Sequence, residues 1–206
     1  PDWLEALTWM RENTPENAVI IAWWDWGYWI TVMGNRTSLA DNATINSTRI
    51  KQIGTLFLSS ETEAKGIIKQ LVGDRPAYIA FLFSATRYQD LVMIGPVGIL
   101  TLGGDEAKIY AFASIPGLDV SQFIGNDGLP TEHFWKNTLP GKMFPMDYNK
   151  TASDNWKTTF SIPATFPAQI GNYTIKYPQD GIGPLKLAFA SSFESYAQVL
   201  IYQVVE

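Results

Sequence analysis

The residues best suited to chemistry lie in one stretch, Trp23-Trp24-Asp25-Trp26-Gly27-Tyr28-Trp29, where five aromatics surround one acid and one glycine. A core that needed only bulk would use Leu, Ile or Val. Each indole brings an N–H donor that wants a partner when buried, and Asp25 brings an acceptor that is costly to bury unpaired. Apolar walls with donors and one acid acceptor suit a small polar group. A hydroxyl, which both donates and accepts, fits them well. The bland alternative is a tryptophan-rich corner of the core in which Asp25 is only a helix cap.

Other reactive chemistry is sparse. The chain has 206 residues, no cysteine and one histidine, which excludes disulfides, thiolate metal sites and any Cys/His ligand set. His133 stands beside Glu132 and reads as a surface residue. The acidic pairs Asp105-Glu106 and Glu61/Glu63 have no convergent ligands in the sequence. There is no G-x-S-x-G and no P-loop. A net charge of −5 with scattered Lys and Arg argues against nucleic acid as a partner. No apolar run reaches the ~18 residues that would mark a membrane-spanning helix. The sequence carries no signal-peptide pattern at its start and reads from Pro1 as if begun in mid-protein.

The elements that must position the motif are legible in part. Asp2 and Glu5 suggest a capping box opening a helix that stops before Thr14-Pro15. Val19 to Ala22 reads as a short buried strand leading into the motif. Asp25 would then cap a helix from Trp26 to about Met33, ended by Gly34-Asn35. A polar loop, Asn35 to Asn46, precedes a helical run from Ile45 to Phe57, and Ser60 with Glu63 opens a further helix through Val72 to Gly73. Ala77 to Phe83 is apolar throughout, as befits a strand covered on both faces. This alternation predicts a mixed α/β fold, with residues 1–100 as an α/β core. Residues 101–206 predict a β-rich portion packed on it, with short strands at 109–114, 158–162, 173–177, 185–191 and 199–205. Residues 129–155 read as a long loop with one short helix at most.

The motif also carries a family resemblance. Trp-Trp-Asp-Trp-Gly resembles the WWDYG signature of the catalytic subunit of oligosaccharyltransferase, with Trp26 where that family usually has Tyr. The aromatic helix, the loop Asp41-Asn42-Ala43-Thr44-Ile45-Asn46 and the helical run follow in the family's order, so the resemblance covers roughly residues 1–100. It implies that Trp23, Trp24 and Asp25 bind the hydroxyl of Ser or Thr in an acceptor sequon Asn-X-Ser/Thr. A second family motif, of form D-x-x-K-x-x-x-M, is expected on a helix after the second strand. Ser84 to Ile94 occupies that place in degenerate form, with Met93 at the Met position, Gln89 at the Lys position and Thr86 at the Asp position. By the same resemblance Met93 or Ile94 would meet the methyl of a sequon Thr.

The resemblance further implies an N-glycosylation enzyme with a multi-pass membrane region and an extracytoplasmic C-terminal domain, to which this chain would correspond. A lipid-linked oligosaccharide on a dolichol carrier would be the donor. A divalent cation, Mg or Mn, would be bound outside this chain, which would hold no catalytic residue or metal ligand and would be inactive alone. The short length and lack of cysteine suggest an archaeal enzyme of the shorter kind. The chain's own sequons at Asn35, Asn42, Asn46, Asn149 and Asn172 are compatible with a domain facing the outside of a cell. A competing reading is a secreted carbohydrate-binding or surface-layer module, which predicts aromatics exposed on one flat face.

Overall fold

The computed structural model describes residues 2–88, 91–94, 104–126, 128, 130–144, 146–150, 156–160, 169–170, 173–175, 181–192 and 197–205. For 85–88, 91–94, 146–150, 156–160, 169–170 and 173–175 the backbone alone is described. Helix α1 (Asp2–Asn13) comes first and ends before Pro15, because a residue that precedes proline resists helical geometry. Glu5, expected to form a capping box with Asp2, reaches instead to Ser192, whose backbone N–H and hydroxyl both donate to its carboxylate. Strand β1 (Val19–Ile21) leads through a 3-10 turn at Trp24–Trp26 into helix α2 (Gly27–Val32). Strand β2 (Thr37–Ser38), helix α3 (Ser47–Phe57), helix α4 (Glu61–Val72) and strand β3 (Ala77–Tyr88) follow. Helix α4 has the full capping box at Ser60 and Glu63, and it stops at Gly73, whose φ of 67° favours glycine.

Three segments depart from the sequence reading. Residues 84–88 and 91–94 are strand and not helix. Strand β3 runs on to Tyr88 and turns back as β4 (Leu91–Ile94), so Thr86 and Met93 face each other across a hairpin. Thr86, Tyr88, Val92 and Ile94 are residue types that suit a pleated surface, and here that preference wins. Gln89 lies outside the described residues. The expected strand at 109–114 is helix α5 (Ile109–Ser114), which continues from a 3-10 turn at Asp105–Lys108 and buries Ile109, Phe112 and Ala113 at helical spacing. The expected loop at 129–155 holds α6 (Glu132–Asn137), α7 (Leu139–Met143) and strand β5 (Met146–Lys150). Thr131 and Thr138 cap the two helices through their hydroxyls, a signal overlooked because each helix is barely more than one turn.

The remaining strands are β6 (Trp156–Phe160), β7 (Gln169–Ile170), β8 (Tyr173–Ile175), β9 (Gly181–Ile182), β10 (Leu185–Ala190) and β11 (Ala197–Val204). The main sheet is mixed, in order β2-β1-β3-β11-β10-β9, with β4 paired to the far end of β3. Its first three strands are parallel and its last three antiparallel. A smaller sheet has the order β5-β6-β8-β7. Period-2 alternation along β1, β3 and β11 sorts their side chains onto two faces. Val19, Ile21, Ile79, Phe81, Phe83, Leu200 and Tyr202 join one core with α3, α4, α5, α6 and α7. Ile20, Tyr78, Ala80, Leu82, Val199 and Ile201 join a second core with α1 and Ile30 of α2. The fold is thus a sheet with helices on both faces, and β1 and β3 are apolar because both their faces are covered.

Candidate functional site

The motif begins two residues beyond the carboxyl end of β1, where open α/β sheets commonly place their binding residues. Trp23 is only 2% exposed and packs on Phe57 (ring centroids 6.4 Å) and Phe112 (4.8 Å). It anchors the motif to the first core. Trp24, Asp25 and Trp26 form the 3-10 turn and are half-buried. Asp25 caps no helix: α2 begins from Trp26 without a side-chain cap, and Asp25 lies inside the preceding turn. Its carboxylate is directed elsewhere. Gly27 then lets α2 pass close under the next loop, since a Cβ there would sit 2.1 Å from the Ala40 carbonyl oxygen.

Asp25 meets Lys108. The Lys108 Nζ lies 2.6 Å from Asp25 Oδ2 and 3.0 Å from Asp105 Oδ1, so one ammonium bridges two acids. The same Nζ sits 4.4 Å from the centre of the Trp26 ring, a cation over an indole face. Trp26 donates its Nε1–H to Asp105 Oδ1 (3.2 Å). The second Asp25 oxygen, Oδ1, is shut off from solvent and has no hydrogen-bond partner among the described residues.

The edge of β3 explains why the acids of this turn are buried. Strand β1 pairs with β3 only as far as Ile79, and the Val19 N–H to Pro76 carbonyl bond marks the parity of the β3 residues whose backbone groups face β1. By alternation, Leu82 and Ser84 also present their N–H groups on that side, where β1 has already ended. Asp105 Oδ2 accepts from the Leu82 N–H (2.7 Å) and Glu106 Oε2 from the Ser84 N–H (3.2 Å). The two carboxyls stand in for a missing strand, which satisfies donors that would otherwise be buried unpaired.

Burial sets the charge balance. Asp105 has a fully buried side chain, and burial pushes its carboxyl above the usual range while Lys108 pulls it back. Glu106 is buried with no cation beside it among the described residues and is pushed up to about 8 by burial, against hydrogen bonds from Ser84. Burial alone would lower the Lys108 ammonium, but Asp105 and Asp25 outweigh it and hold it above its ordinary value.

Sequence reasoning singled out Asp25 but passed over Lys108. The signal was present: Asp105-Glu106-Ala107-Lys108 meets the D-x-x-K spacing in full, with Phe112 seven residues after Asp105 where the pattern puts Met. Met93 is on the β4 hairpin and not on a helix. A second feature adjoins the site. A cleft of about 400 Å³ is lined by Asp2, Trp3, Leu4, Trp26, Trp29 and Met33, with the Trp3 ring tilted against that of Trp26 at 4.8 Å between centroids. Among the described residues no three His, Cys, Asp or Glu side chains converge as metal ligands. Asp25 and Asp105 do not fit a divalent cation, because the Lys108 ammonium already occupies the position between them.

No family model matches the chain. Over 70 residues, 34% of its length, the chain is 50% identical to the dolichyl-diphosphooligosaccharide–protein glycosyltransferase subunit STT3B of Oryza sativa subsp. japonica, a stretch that is 10% of that protein. Over 82 residues, 40% of its length, it is 43% identical to the corresponding subunit stt-3 of Caenorhabditis elegans, again 10% of that protein. The matched stretch thus spans a tenth of the length of these curated relatives. The fold resembles the crystal structure of the C-terminal globular domain of an oligosaccharyltransferase from Archaeoglobus fulgidus. The TM-score is 0.52 at 18% identity, over 98% of this chain and 96% of that one. At that identity the likeness is one of fold.

Proposed function

We propose that this chain is the C-terminal globular domain of an oligosaccharyltransferase, and that it recognises the Ser or Thr hydroxyl of Asn-X-Ser/Thr in the acceptor polypeptide. Its parent transfers a lipid-linked oligosaccharide to the Asn amide. The reading is supported by the local sequence identity, by the fold likeness over nearly the whole domain, and by the motif at the end of β1. The parent is a membrane protein with this domain on the extracytoplasmic side. No helix among the described residues is long and apolar enough to cross a membrane; the proposal places the membrane region in another part of the polypeptide. The divalent cation, Mg or Mn, and the glycosyl-transfer centre belong there too. Lack of cysteine supports the proposal of an archaeal parent of the shorter kind.

One observation carries the site assignment. Asp25 has one oxygen held by Lys108 and the other buried with no donor among the described residues. An unmet buried acceptor costs about 1–3 kcal/mol, and a hydroxyl that donates to it recovers that cost. A donor reaches Oδ1 only with a local opening of the site. Trp24, half-buried beside Asp25, supplies the indole N–H for the hydroxyl oxygen, and Trp23 holds the turn in place from beneath. A site built in this way rejects an analogue that lacks the hydroxyl, because its own polar groups would stay unpaired. Met93 would contribute the contact to a Thr methyl from the hairpin. Gln89 belongs to the proposed site on the sequence resemblance alone.

The test compares glycosylation of an Asn-X-Thr peptide by the full-length protein with that by Asp25→Ala. Loss of a hydrogen bond to a charged group costs about 1.5–3 kcal/mol, so kcat/KM is expected to fall on the order of 10- to 100-fold. Unchanged transfer by a folded Asp25→Ala protein would reduce Asp25 to a structural residue.

A further inference from the structure

We infer that Glu106 is a positioning residue of this site: clamped to Ser84 of β3, it fixes the turn Asp105–Lys108 and through it the place of Lys108 against Asp25. The clamp is made of three contacts. Glu106 Oε1 accepts from the Ser84 hydroxyl at 2.5 Å, Glu106 Oε2 accepts from the Ser84 N–H, and the Ser84 hydroxyl in turn accepts from the Gly104 N–H at 3.1 Å. The fit leaves no slack at Gly104, where a Cβ would lie 2.1 Å from Glu106 Oε2. Lys108 sits two residues further along the same turn, so its reach to Asp25 depends on where the turn is held.

The surroundings of Glu106 make the clamp sensitive to its charge. It faces Ser84 from β3 and Asp105 from its own turn; beyond Asp105 lie Lys108 and, from the motif, Asp25. Helix α5, which continues from the turn, adds only the exposed phenol of Tyr110. Asp105 and Asp25 share the Lys108 ammonium, and among the described residues Glu106 has no cation of its own. A neutral Glu106 is compatible with this arrangement. Ionisation strengthens the bonds from Ser84 but leaves a second buried anion beside Asp105; burial outweighs those bonds, so the ionised form favours a turn opened to water. With Glu106 titrating at about 8, the neutral fraction falls from roughly ten-elevenths at pH 7 to one-eleventh at pH 9. Acceptor KM should therefore rise between those values, by up to about tenfold if only the neutral form holds the turn.

The structure contains its own reporter. Lys108 lies over the Trp26 indole, so movement of the turn changes Trp26 emission. In this 206-residue chain we expect a fluorescence transition centred near pH 8, absent in Glu106→Gln and absent in Trp26→Phe. In Ser84→Ala the midpoint should move upward, because the Ser84 hydroxyl normally favours the ionised form. Two results would overturn the inference: no transition in the wild type, or the same transition in Glu106→Gln. For acceptor binding the inference rests on the proposed function, and the second readout is the pH profile of acceptor KM in the full-length protein, expected to be flat in Glu106→Gln. If the optical transition behaves as stated while Asp25→Ala leaves transfer unchanged, the turn is positioned by Glu106 and the hydroxyl-binding reading is the one that fails.

Discussion

Replacing Lys108 by Met tests the logic of the charge cluster. The ammonium is 16% exposed and is shared by Asp25, 26% exposed, and Asp105, 0% exposed. Its removal leaves Asp105 with two neutral donors, Leu82 N–H and Trp26 Nε1–H, and no cation. Breaking a buried pair by removing one partner costs about 3–5 kcal/mol, a large share of the ~5–15 kcal/mol that stabilises a typical domain. For a domain of this size each kcal/mol shifts the melting temperature by about 2–4 °C, so Lys108→Met should melt roughly 6–20 °C below wild type at pH 7. The sign of the pH dependence is also fixed. Burial raises the Asp105 carboxyl and Lys108 opposes that rise, so loss of Lys108 raises it further. An acid whose folded pKa lies above its unfolded value costs stability above the unfolded value, and the cost is relieved as pH falls through the folded one. The deficit of Lys108→Met should therefore be smaller at pH 5 than at pH 8, and Asp105→Asn added to it should restore part of the stability. Thermal unfolding followed by circular dichroism measures all three. A deficit below about 1 kcal/mol, equal at both pH values, would refute the reasoning.

Two further substitutions probe the frame around the site. Gly27→Ala places a Cβ against the backbone of Ala40 and Asp41, at 2.1 and 2.6 Å, so the loop must move; a loss of about 1–3 kcal/mol in urea unfolding is expected. Ser60→Ala removes the hydroxyl that caps the Glu63 N–H of α4 and donates to the Glu63 carboxylate, while the Ser60 N–H bond to that carboxylate stays; the same assay should show a loss of about 1 kcal/mol and no change in acceptor KM.

The parts of this fold that were legible in the sequence are those in which local signals agreed with the final packing. The capping box at Ser60, the stop before Pro15 and the apolar run at Ala77 each name their element because the side chains and the backbone want the same thing. Residues 109–114 misled because Ile, Tyr and Phe at short spacing suit a strand. Their helix is set by the preceding turn, which the end of β1 summons to cover Leu82 and Ser84. Asp25 was legible as the acid of an aromatic motif, but not as the partner of Lys108, which comes from far along the chain. Lys108 could have been found from its D-x-x-K spacing. Glu106 could not, because a carboxyl that fills the gap beside an unpaired strand edge has no pattern of its own.

The place of β11 bears on how the chain matures. Ser84 pairs with Ala197 and Tyr78 with Gln203, so the middle of the sheet is closed by a strand synthesised long after β3. Until then β3 has one open edge, along an apolar strand that could pair with another nascent chain. Contacts this distant in sequence also form slowly. A holding chaperone would therefore matter most in the interval between synthesis of β3 and arrival of β11, and a ribosome stalled in that interval would display an unfinished sheet.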